Sequence, residues 1–492
     1  MKVWVGLVIG GLLLAGTGPS LFAQGAGPAV TETIDQAISQ ALANQPLIQQ
    51  AQAAVEAARA RVGQANSSYY PFVSGSGSYD RLSDQSFTIS SLLPASELQQ
   101  LGITIPPNIA PILGTPIALV PVNVWDFHVG LNQVIFQFGK RGVQVKLAES
   151  GVSAAQIGVE QIRLSLAFQA AQGFYSVLFL RDQVSAIDEQ LANLQEHLTA
   201  TQAKAQAGSA TRYDELATEV RISTLQSQRI DAQNQLERQT IAFKQLLGIP
   251  ESTHLDMQGD FTAPSDAPAP DASATDASAN AQALLDSAMA QRPDIREAVE
   301  AERAAELSRR LATMGGWPTV SGHASVGYKN GILPDIYTPE FNWVAGVQVN
   351  VPIFEGFLIS KQGEEAERKL LAARENTLSV KRTVTTQVFQ ALQDVVAGHE
   401  QVQSAQTQLQ QAKDMLEVVK LQYDLGMLTN LEYLDAQAAL ERAELGSLLA
   451  QYREVLNVYA LKQVTATPIW QTSPAPGSGA SQGSGATPAA SP

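Results

Sequence analysis

The sequence contains one pattern written twice, and this repeat restricts the possible folds more than any other feature. Over most of the chain, identical residues recur at a constant offset of 218 positions (343 minus 125). The recurring pairs include Trp125 and Trp343, Asn132 and Asn350, Gly208 and Gly426, Thr211 and Thr429, and Lys244 and Lys462. Units of this length are far longer than the roughly 20–50 residues of solenoid repeats. The sequence therefore predicts two equivalent halves of one architecture, which we assign to residues 24–259 and 281–467.

The first half carries an insertion that the second half lacks. Tyr70-Pro71 recurs as Trp317-Pro318 at an offset of 247 (317 minus 70), so 29 extra residues (247 minus 218) lie between about Gly75 and His128. Much of this stretch, residues 82–121, is rich in proline, leucine and isoleucine. We interpret it as an enlarged loop at the tip of the first hairpin. It is either a poorly ordered excursion, which is the simpler interpretation, or a binding element.

Each half begins with a predicted helix that is followed by a pair of strands. Apolar residues at helical spacing predict helices over about 31–66 and about 281–314, and an aromatic–proline pair ends each of them. After each pair the apolar residues alternate with polar ones, which predicts β-hairpins at 72–136 and 319–354. Strands of roughly ten residues with this alternation are typical of membrane barrels. Four aromatic residues near the strand ends are predicted to lie at the membrane interface: Tyr79, Trp125, Tyr328 and Trp343.

Two long windows after the strands contain no proline, and each predicts a long helical hairpin. These hairpins span 140–247 and 357–464 and turn once at a glycine. Their apolar residues step by three and four, which is the a/d pattern of a coiled coil. A helix over 140–206 would be roughly 100 Å long at ~1.5 Å per residue. Such a helix must project from the body of the protein or form part of a tube.

The composition excludes several classes of function. The 492 residues carry a net charge of −15, which argues against nucleic acid as a partner because phosphate binding needs clustered Lys and Arg. The chain contains no cysteine, which excludes disulfides, thiol nucleophiles and a lipid anchor on an N-terminal cysteine. The fold must therefore be held together by packing alone.

Three segments lie outside the repeats. Residues 1–23 have the basic start, apolar core and small-residue end of a secretory signal peptide, with cleavage predicted after Ala23. The alternative for this segment is a single membrane anchor. Residues 260–280 are rich in Ala, Asp, Pro and Ser and are predicted to form a linker or surface loop. Residues 468–492 are predicted to be a disordered tail.

The four predicted strands cannot form a closed barrel in one chain, because the smallest membrane barrels have about eight strands. An open sheet in lipid leaves unpaired backbone groups, each of which costs several kcal/mol. The strands must therefore pair with those of other copies, and three copies would give twelve strands. The alternative is a soluble β-ribbon that caps a helical bundle.

The glycine turns carry a resemblance to a known family. The segment Tyr423–Gln437, with its Gly426 turn, resembles the second-repeat signature of the outer-membrane efflux (TolC) family. The segment Gly208–Leu216 resembles the first-repeat partner, and Val349–Gly356 resembles the strand-to-helix corner. The resemblance covers about residues 31–467. It implies a mostly α fold with a small membrane β part: long antiparallel coiled-coil helices plus four β-strands per chain, assembled as a trimeric α/β-barrel channel with two internal repeats.

The resemblance also implies a function and partners. Members of this family are exit ducts in the outer membrane for tripartite efflux pumps and type I secretion systems. They are homotrimers that cross the outer-membrane lipid, extend a helical tunnel into the periplasm, and receive substrates from an inner-membrane pump and a periplasmic adaptor (membrane fusion) protein. The adaptor would dock at the glycine turns, which places four residues at the docking tips: Gly208, Thr211, Gly426 and Thr429.

Four further residues are predicted to form the periplasmic gate. Glu432 and Asp435 are three positions apart and share one helix face, and the resemblance places them in an acidic selectivity ring of six carboxylates. Mutual repulsion could raise their pKa values. Asp214 and Tyr423 match family positions that hold the entrance shut.

The chain departs from the family at this gate. The family's example of the closing contacts uses an arginine two residues after the second glycine, where this chain has Leu428. Arg212, from the other turn, is a candidate replacement. For every residue assigned to the gate, the simpler interpretation is a solvated helix end.

The sequence contains no recognisable catalytic, cofactor or metal motif. Its five histidines are scattered, and it has no H-E-x-x-H, P-loop, G-x-S-x-G or Rossmann glycine pattern. We therefore predict that the protein is not an enzyme, binds no cofactor or metal and obtains energy from a partner. The rival hypothesis is a periplasmic coiled-coil scaffold or adaptor without a pore. The duplicated hairpins and amphipathic strands favour the channel, and the transported substrate is not indicated.

Overall fold

The computed structural model describes residues 30–469, except residues 84–85, 89–94, 105, 107–108, 114, 119, 263–273 and 333–334. The predicted signal peptide and the chain from residue 470 onward lie outside the described residues. The helices are α1 (Ile34–Asn44), α2 (Pro46–Ser67), α3 (Ala95–Gln100), α4 (Ala110–Leu113), α5 (Lys140–Gln206), α6 (Arg212–Leu247), α7 (Ala274–Gln291), α8 (Pro293–Thr313), α9 (Leu358–Asp424) and α10 (Asn430–Val464). The strands are β1 (Val30–Glu32), β2 (Phe72–Arg81), β3 (Ser86–Thr88), β4 (Pro116–Ala118), β5 (Asn123–Phe136), β6 (Leu255–Met257), β7 (Thr319–Lys329) and β8 (Glu340–Asn350).

Two long helical hairpins dominate the fold, one in each half. The first hairpin is α5 with α6, and the second hairpin is α9 with α10. α5 and α9 each contain 67 residues, which gives a length of about 100 Å at ~1.5 Å per residue. They continue unbroken because no proline interrupts the backbone hydrogen bonds. The predicted long antiparallel helices are confirmed.

Both hairpins turn through the same motif. The chain leaves α5 at Gly208 and α9 at Gly426, where φ is 75° and 74°. Glycine adopts this left-handed conformation without the penalty that a Cβ atom imposes. After each turn a threonine caps the next helix, with Thr211 at the start of α6 and Thr429 at the start of α10. The repeated residues therefore give the two tips the same local structure.

The helix that opens each half is broken, which differs from the continuous helices predicted over 31–66 and 281–314. Gln45 separates α1 from α2, and Arg292 separates α7 from α8. Pro46 and Pro293 occupy the first turn of the second helix in each case. Proline fits there because its missing N–H has no partner to lose, while the residue before proline is pushed out of the helical region.

The four long strands form one antiparallel sheet in the order β2-β5-β7-β8. Directly opposed residues point to the same face, and the register places Tyr79 opposite Trp125, and Phe127 opposite Tyr328. One face of the sheet is apolar and carries Val73, Gly75, Gly77, Tyr79, Trp125, Phe127, Val129, Leu131, Val320, Gly322, Ala324, Val326, Tyr328, Phe341, Trp343, Ala345, Val347 and Val349. The other face is mostly polar and includes Ser74, Ser76, Ser78, Asp126, His128, Asn132, Ser321, His323, Ser325, Lys329, Asn342 and Gln348. The predicted four amphipathic strands are confirmed.

The largest hydrophobic core lies where the base of the first hairpin meets α1. Phe174 of α5 and Phe243 of α6 are each about 1% exposed and contact one another edge to face. Tyr459 of α10 joins this core, so the second hairpin packs on the first. Ile469 is also buried there, so packed chain extends into the tail predicted from residue 468.

Two further predictions need adjustment. The linker predicted over 260–280 overlaps α7, which begins at Ala274. The insertion at 82–121 contains short elements. β3 pairs with β4, and α3 and α4 lie between these two strands in the sequence. Within the described residues, none of the helices combines the length and the apolar character that crossing a bilayer requires.

Candidate channel entrance and membrane-facing sheet

The two hairpin tips are stabilised by reciprocal capping boxes. The N–H and hydroxyl of Thr211 donate to Asp214 Oδ2 at 2.8 and 2.7 Å. The N–H and hydroxyl of Thr429 donate to Glu432 Oε2 at 2.7 and 2.8 Å. Each threonine hydroxyl also accepts from the backbone N–H three residues later, so orphan donors at both helix starts are satisfied.

The capping box favours the ionised form of Glu432. The backbone N–H and then the hydroxyl of Thr429 hold the pKa of Glu432 below its ordinary value. This direction is opposite to the mutual elevation considered from the sequence, because in one protomer the hydrogen bonds to the carboxylate dominate. Glu432 and Asp435 are both exposed, while Tyr433 and Leu434 between them are buried.

Within one protomer the other two predicted gate residues make separate contacts. The Tyr423 hydroxyl lies 3.4 Å from Thr201 Oγ1, whereas the Asp214 carboxylate caps α6. The guanidinium of Arg212 pairs with Glu215 on its own helix turn. The structure therefore brings Tyr423 against α5 and leaves Arg212 engaged with a neighbour on α6.

A buried histidine beside Tyr423 is the main residue that the sequence analysis missed. His197 is 7% exposed, and its ring stacks on Tyr433 with ring centroids 4.0 Å apart. His197 lies in a stripe of buried residues along α5 that are spaced by four, three and four positions in the sequence: Gln190, Leu194, His197 and Thr201. Polar residues at the spacing of a coiled-coil seam were the available signal, because a buried polar group needs a partner on the facing helix.

Polar contacts join the two hairpins along this stripe. Gln190 donates to Glu444 Oε2 at 2.7 Å, and Arg221 of α6 forms an ion pair with Glu441 of α10. Burial raises the pKa of Glu441, and the positive charge of Arg221 lowers it in part. The relative position of the two hairpins thus depends on specific polar side chains as well as on apolar packing.

The four aromatic residues predicted at the membrane interface lie together on the apolar face. The ring centroids of Tyr79 and Trp125 are 4.4 Å apart, and those of Tyr328 and Phe341 are 5.9 Å apart. Trp343 is 68% exposed on the same face. The group occupies the end of the sheet that is farther from the helical hairpins, because β2 begins and β5 ends at the helical side.

A second group of aromatic residues occupies the opposite end of the sheet, and the sequence analysis did not identify it. These residues are Phe136, Phe138, Trp317, Phe354 and Phe357. All five are at least 42% exposed. The sequence signal was their clustering at the junctions between the strands and the neighbouring helices. Aromatic groups at both ends of an apolar band are typical of membrane barrels.

The polar face carries a charged network around His128. The His128 ring bonds Asp126 Oδ1 and the Ser76 hydroxyl, each at 2.9 Å, and Lys329 lies 3.5 Å from Asp126. This order of groups resembles a hydrolase triad, but the backbone N–H groups of a sheet lie in its plane and none is aimed at an oxyanion above the face. We interpret the network as polar lining. Across the part of the chain that the structure describes, no group of three or more His, Asp or Glu side chains could hold a metal ion.

Comparison with known proteins decides the family. The family model described as "Outer membrane efflux protein" matches residues 37–249 and 284–467, which include both hairpins and all four long strands. The chain belongs to the outer membrane efflux protein family. The two matched stretches lie within residues 24–259 and 281–467.

Individual relatives agree with this family over most of the chain. The outer membrane efflux protein BepC of Brucella suis is 23% identical over 463 residues, which are 93% of this chain and 90% of that protein. The outer membrane protein TolC of Escherichia coli is 22% identical over 70% of each chain. The crystal structure of the Campylobacter jejuni CmeC outer membrane channel superposes with a TM-score of 0.70 at 20% identity, covering 88% of this chain and 85% of that one.

Family membership confirms the predicted resemblance, the fold class and the role. The efflux protein is an exit duct of the outer membrane. The rival hypothesis of an adaptor without a pore is set aside, because the match spans the strands as well as the helical hairpins.

Proposed function

We propose that this efflux protein works as a homotrimer in which three sheets close one twelve-stranded barrel. The observation that carries the proposal is the sheet itself, with one apolar face, one polar face and two edge strands, β2 and β8. An open edge in lipid leaves N–H and C=O groups unpaired, so β2 of one copy must pair with β8 of the next. Three copies place the apolar faces toward lipid and the polar faces around a lumen.

The helical hairpins would extend this barrel into a periplasmic tunnel. At their tips several large apolar side chains are exposed, including Tyr213, Leu421, Leu425 and Met427. Exposed apolar patches of this kind are typical of protein–protein contacts. We assign the tips, with Gly208, Thr211, Gly426 and Thr429, to docking of a periplasmic adaptor that connects the duct to an inner-membrane pump. The choice of cargo would then lie with that pump.

The entrance would be lined by acidic side chains. Three copies of Glu432 and Asp435 give six carboxylates on the exposed start of α10, where they would favour cations over anions. Asp214 would contribute by capping α6, and Tyr423 by its contact with α5. These residues act at the same entrance through separate contacts in each protomer.

The absence of cysteine allows the barrel closure to be tested directly. We suggest pairs of single cysteines, one on the polar face of β2 at Ser74, Ser76 or Ser78 and one on β8 at Asn342 or Gln348, in the full chain in native outer membranes. After oxidation, a denaturing gel should show monomer, dimer and trimer, and reduction should collapse all bands to monomer. A control pair within one protomer, Ser76 with His128, should give only monomer.

The distribution of bands separates the alternatives. A ladder that ends at three copies supports the proposed barrel. A ladder that stops at two copies or continues beyond three contradicts it, as does cross-linking of protein found only in the soluble periplasmic fraction.

A further inference from the structure

A buried polar cluster joins the two helical hairpins next to the turns. At its centre is His197 of α5, whose Nε2 lies 2.7 Å from Asn430 Oδ1 at the start of α10. The ring is stacked on Tyr433 at an interplanar angle of 17°. With Nε2–H as the donor to the Asn430 carbonyl, a neutral imidazole satisfies this contact.

The cluster reaches all four helices of the two hairpins. Asn430 Nδ2 donates to the Asp214 carbonyl at 3.0 Å and lies 3.3 Å from Thr218 Oγ1, both on α6. On the other side, Thr201 Oγ1 approaches the Tyr423 hydroxyl of α9 at 3.4 Å. The structure thus connects α5, α6, α9 and α10 through one histidine, one asparagine and their neighbours.

We propose that His197 is a positioning residue of the entrance, which holds the two hairpins together while it is neutral and favours their separation when it is protonated. This inference rests on the proposed function, because it takes the tips to be the periplasmic entrance of the duct. It assigns to the duct a response to acidic pH at a specific side chain.

The surroundings of the ring disfavour a positive charge. From α5, Lys204 lies 3.9 Å from the centroid of the Tyr423 ring and 3.3 Å from Asp424. From α9, the Tyr423 ring has its centroid 5.2 Å from that of His197, and the exposed Lys420 and Asp424 act on the ring through their charges. From α10 the ring meets Tyr433 and Asn430, and α6 contributes its Asp214 carbonyl and the Thr218 hydroxyl to Asn430. The charges that act on the ring are therefore those of Lys204, Asp424 and Lys420. A second carboxylate, Glu196 of α5, acts on the stacked Tyr433.

Burial is the largest influence and lowers the pKa of His197. The bond to Asn430 raises that pKa, Lys204 lowers it, Asp424 raises it and Lys420 lowers it, in decreasing order of effect. Protonation would not break the Nε2–H bond, since the imidazolium still donates. The cost of protonation comes mainly from placing a charge in a buried site. Lys204 and Lys420 add to this cost, and Asp424 offsets part of it.

The sign of the pH effect follows from linkage. When the hairpins separate, the ring enters water and its pKa returns toward about 6.5. The joined state has the lower pKa, so it loses stability relative to the separated state as pH falls below the ordinary histidine value. For each unit by which the pKa of His197 differs between the joined and the separated state, the opening equilibrium changes roughly tenfold per protomer. This full effect is reached once the pH is below both of these pKa values.

The test is the conductance of the purified full-length protein in planar bilayers, titrated on the helical-tip side from about pH 7.5 to about pH 5, which spans histidine titration. The wild type should open more often as the pH falls. Two neutral variants, His197→Gln and His197→Phe, should show a flat profile, and either is sufficient if the other does not fold. The matched control is His399→Gln, because His399 also bridges two helices, bonding Glu454 at 2.8 Å, and it should keep the wild-type profile.

Three results would overturn the proposal: a wild-type profile without an acid response, an unchanged response in both neutral variants, or loss of the response in His399→Gln alone. Failure of the proposed function would look different, because folded, bilayer-inserted protein would then give no conductance at any pH.

Discussion

At the scale of single residues, the acidic side chains of the tips have two roles that can be separated. Glu432 caps α10 through Thr429, and it also presents a charge at the proposed entrance. Asp435 presents a charge on the same exposed face of α10. A glutamine at the third position of a capping box keeps the hydrogen bonds and removes the charge. Substitutions at the two sites can therefore distinguish folding from selectivity.

We expect Glu432→Gln to reduce cation selectivity and to leave the melting temperature close to that of the wild type. Glu432→Ala should lose selectivity and also lower the melting temperature, because the N–H and hydroxyl of Thr429 lose their carboxylate acceptor, while the bond from the backbone N–H of residue 432 to the Thr429 hydroxyl remains. Asp435→Asn is the matched control, because it removes a charge from a side chain that takes no part in the capping box. Reversal potentials in a salt gradient and thermal melts measure the two effects. If the double variant that carries both Glu432→Gln and Asp435→Asn kept wild-type selectivity, these carboxylates would be excluded from the entrance.

The pair Arg221–Glu441 predicts a pH-dependent defect. In Arg221→Met the carboxylate of Glu441 stays buried without its cation, which should cost about 2–3 kcal/mol, less than the ~3–5 of a fully buried pair because Arg221 is partly exposed. The pKa of Glu441 is already raised by burial. The ionised form is therefore the unfavourable one, and the defect should be large at alkaline pH and smaller as the pH falls and the group protonates.

Denaturant unfolding of Arg221→Met at several pH values measures this defect. Adding Glu441→Gln in the same chain is the matched control and should recover most of the loss, because it removes the unpaired charge. A defect that grows as the pH falls would show that the ion pair is not the cause.

At the scale of elements, close packing between helices limits which glycines can change. A Cβ atom on Gly173 of α5 would approach Phe243 Cδ2 at 2.7 Å, and Phe243 is fully buried in the main core. On the same helix, a Cβ atom on Gly151 would meet nothing within 4 Å. Two identical substitutions in one helix should therefore have opposite effects.

We expect Gly173→Ala to destabilise the protein by about 1–3 kcal/mol through overpacking. Gly151→Ala should instead stabilise it by roughly 0.5–1 kcal/mol, because alanine loses less backbone entropy in a helix. Circular dichroism during denaturant unfolding compares the two variants with the wild type. Equal stability of both variants would mean that the core around Phe243 tolerates added volume.

The elements that could be predicted from the sequence are those with long, uninterrupted patterns. The hairpins follow from the absence of proline and the three–four spacing, and the strands from strict alternation. The breaks at Pro46 and Pro293 were not predicted, because the helices were assigned from apolar spacing, which continues across each proline. The proline itself was the available signal. The β1–β6 pair was missed because three-residue strands carry no detectable period.

Parts of the entrance could also be predicted, but their pairing could not. The glycine and threonine positions were evident from the repeat, and the structure shows both threonines acting as caps. The partner of Tyr423 depends on which helix faces it, and a sequence period does not give that information. For the same reason His197 was counted only among five scattered histidines.

At the scale of the whole molecule, the two faces of the sheet and its two edges explain why one chain is incomplete. The apolar face needs lipid, the polar face needs water, and the edges β2 and β8 need another copy. The helical hairpins that continue from the strands are joined by a polar seam near their tips. Barrel, tunnel and entrance then follow from one repeated unit of helix, strand pair and hairpin.

Single-channel recording of the purified full-length protein in planar bilayers shows whether the chain forms the proposed water-filled duct with an acidic entrance. We expect discrete conductance steps that are selective for cations and are reduced when a multivalent cation is added on the helical-tip side. Folded trimers that insert into the bilayer without conducting, or that select anions, would contradict it.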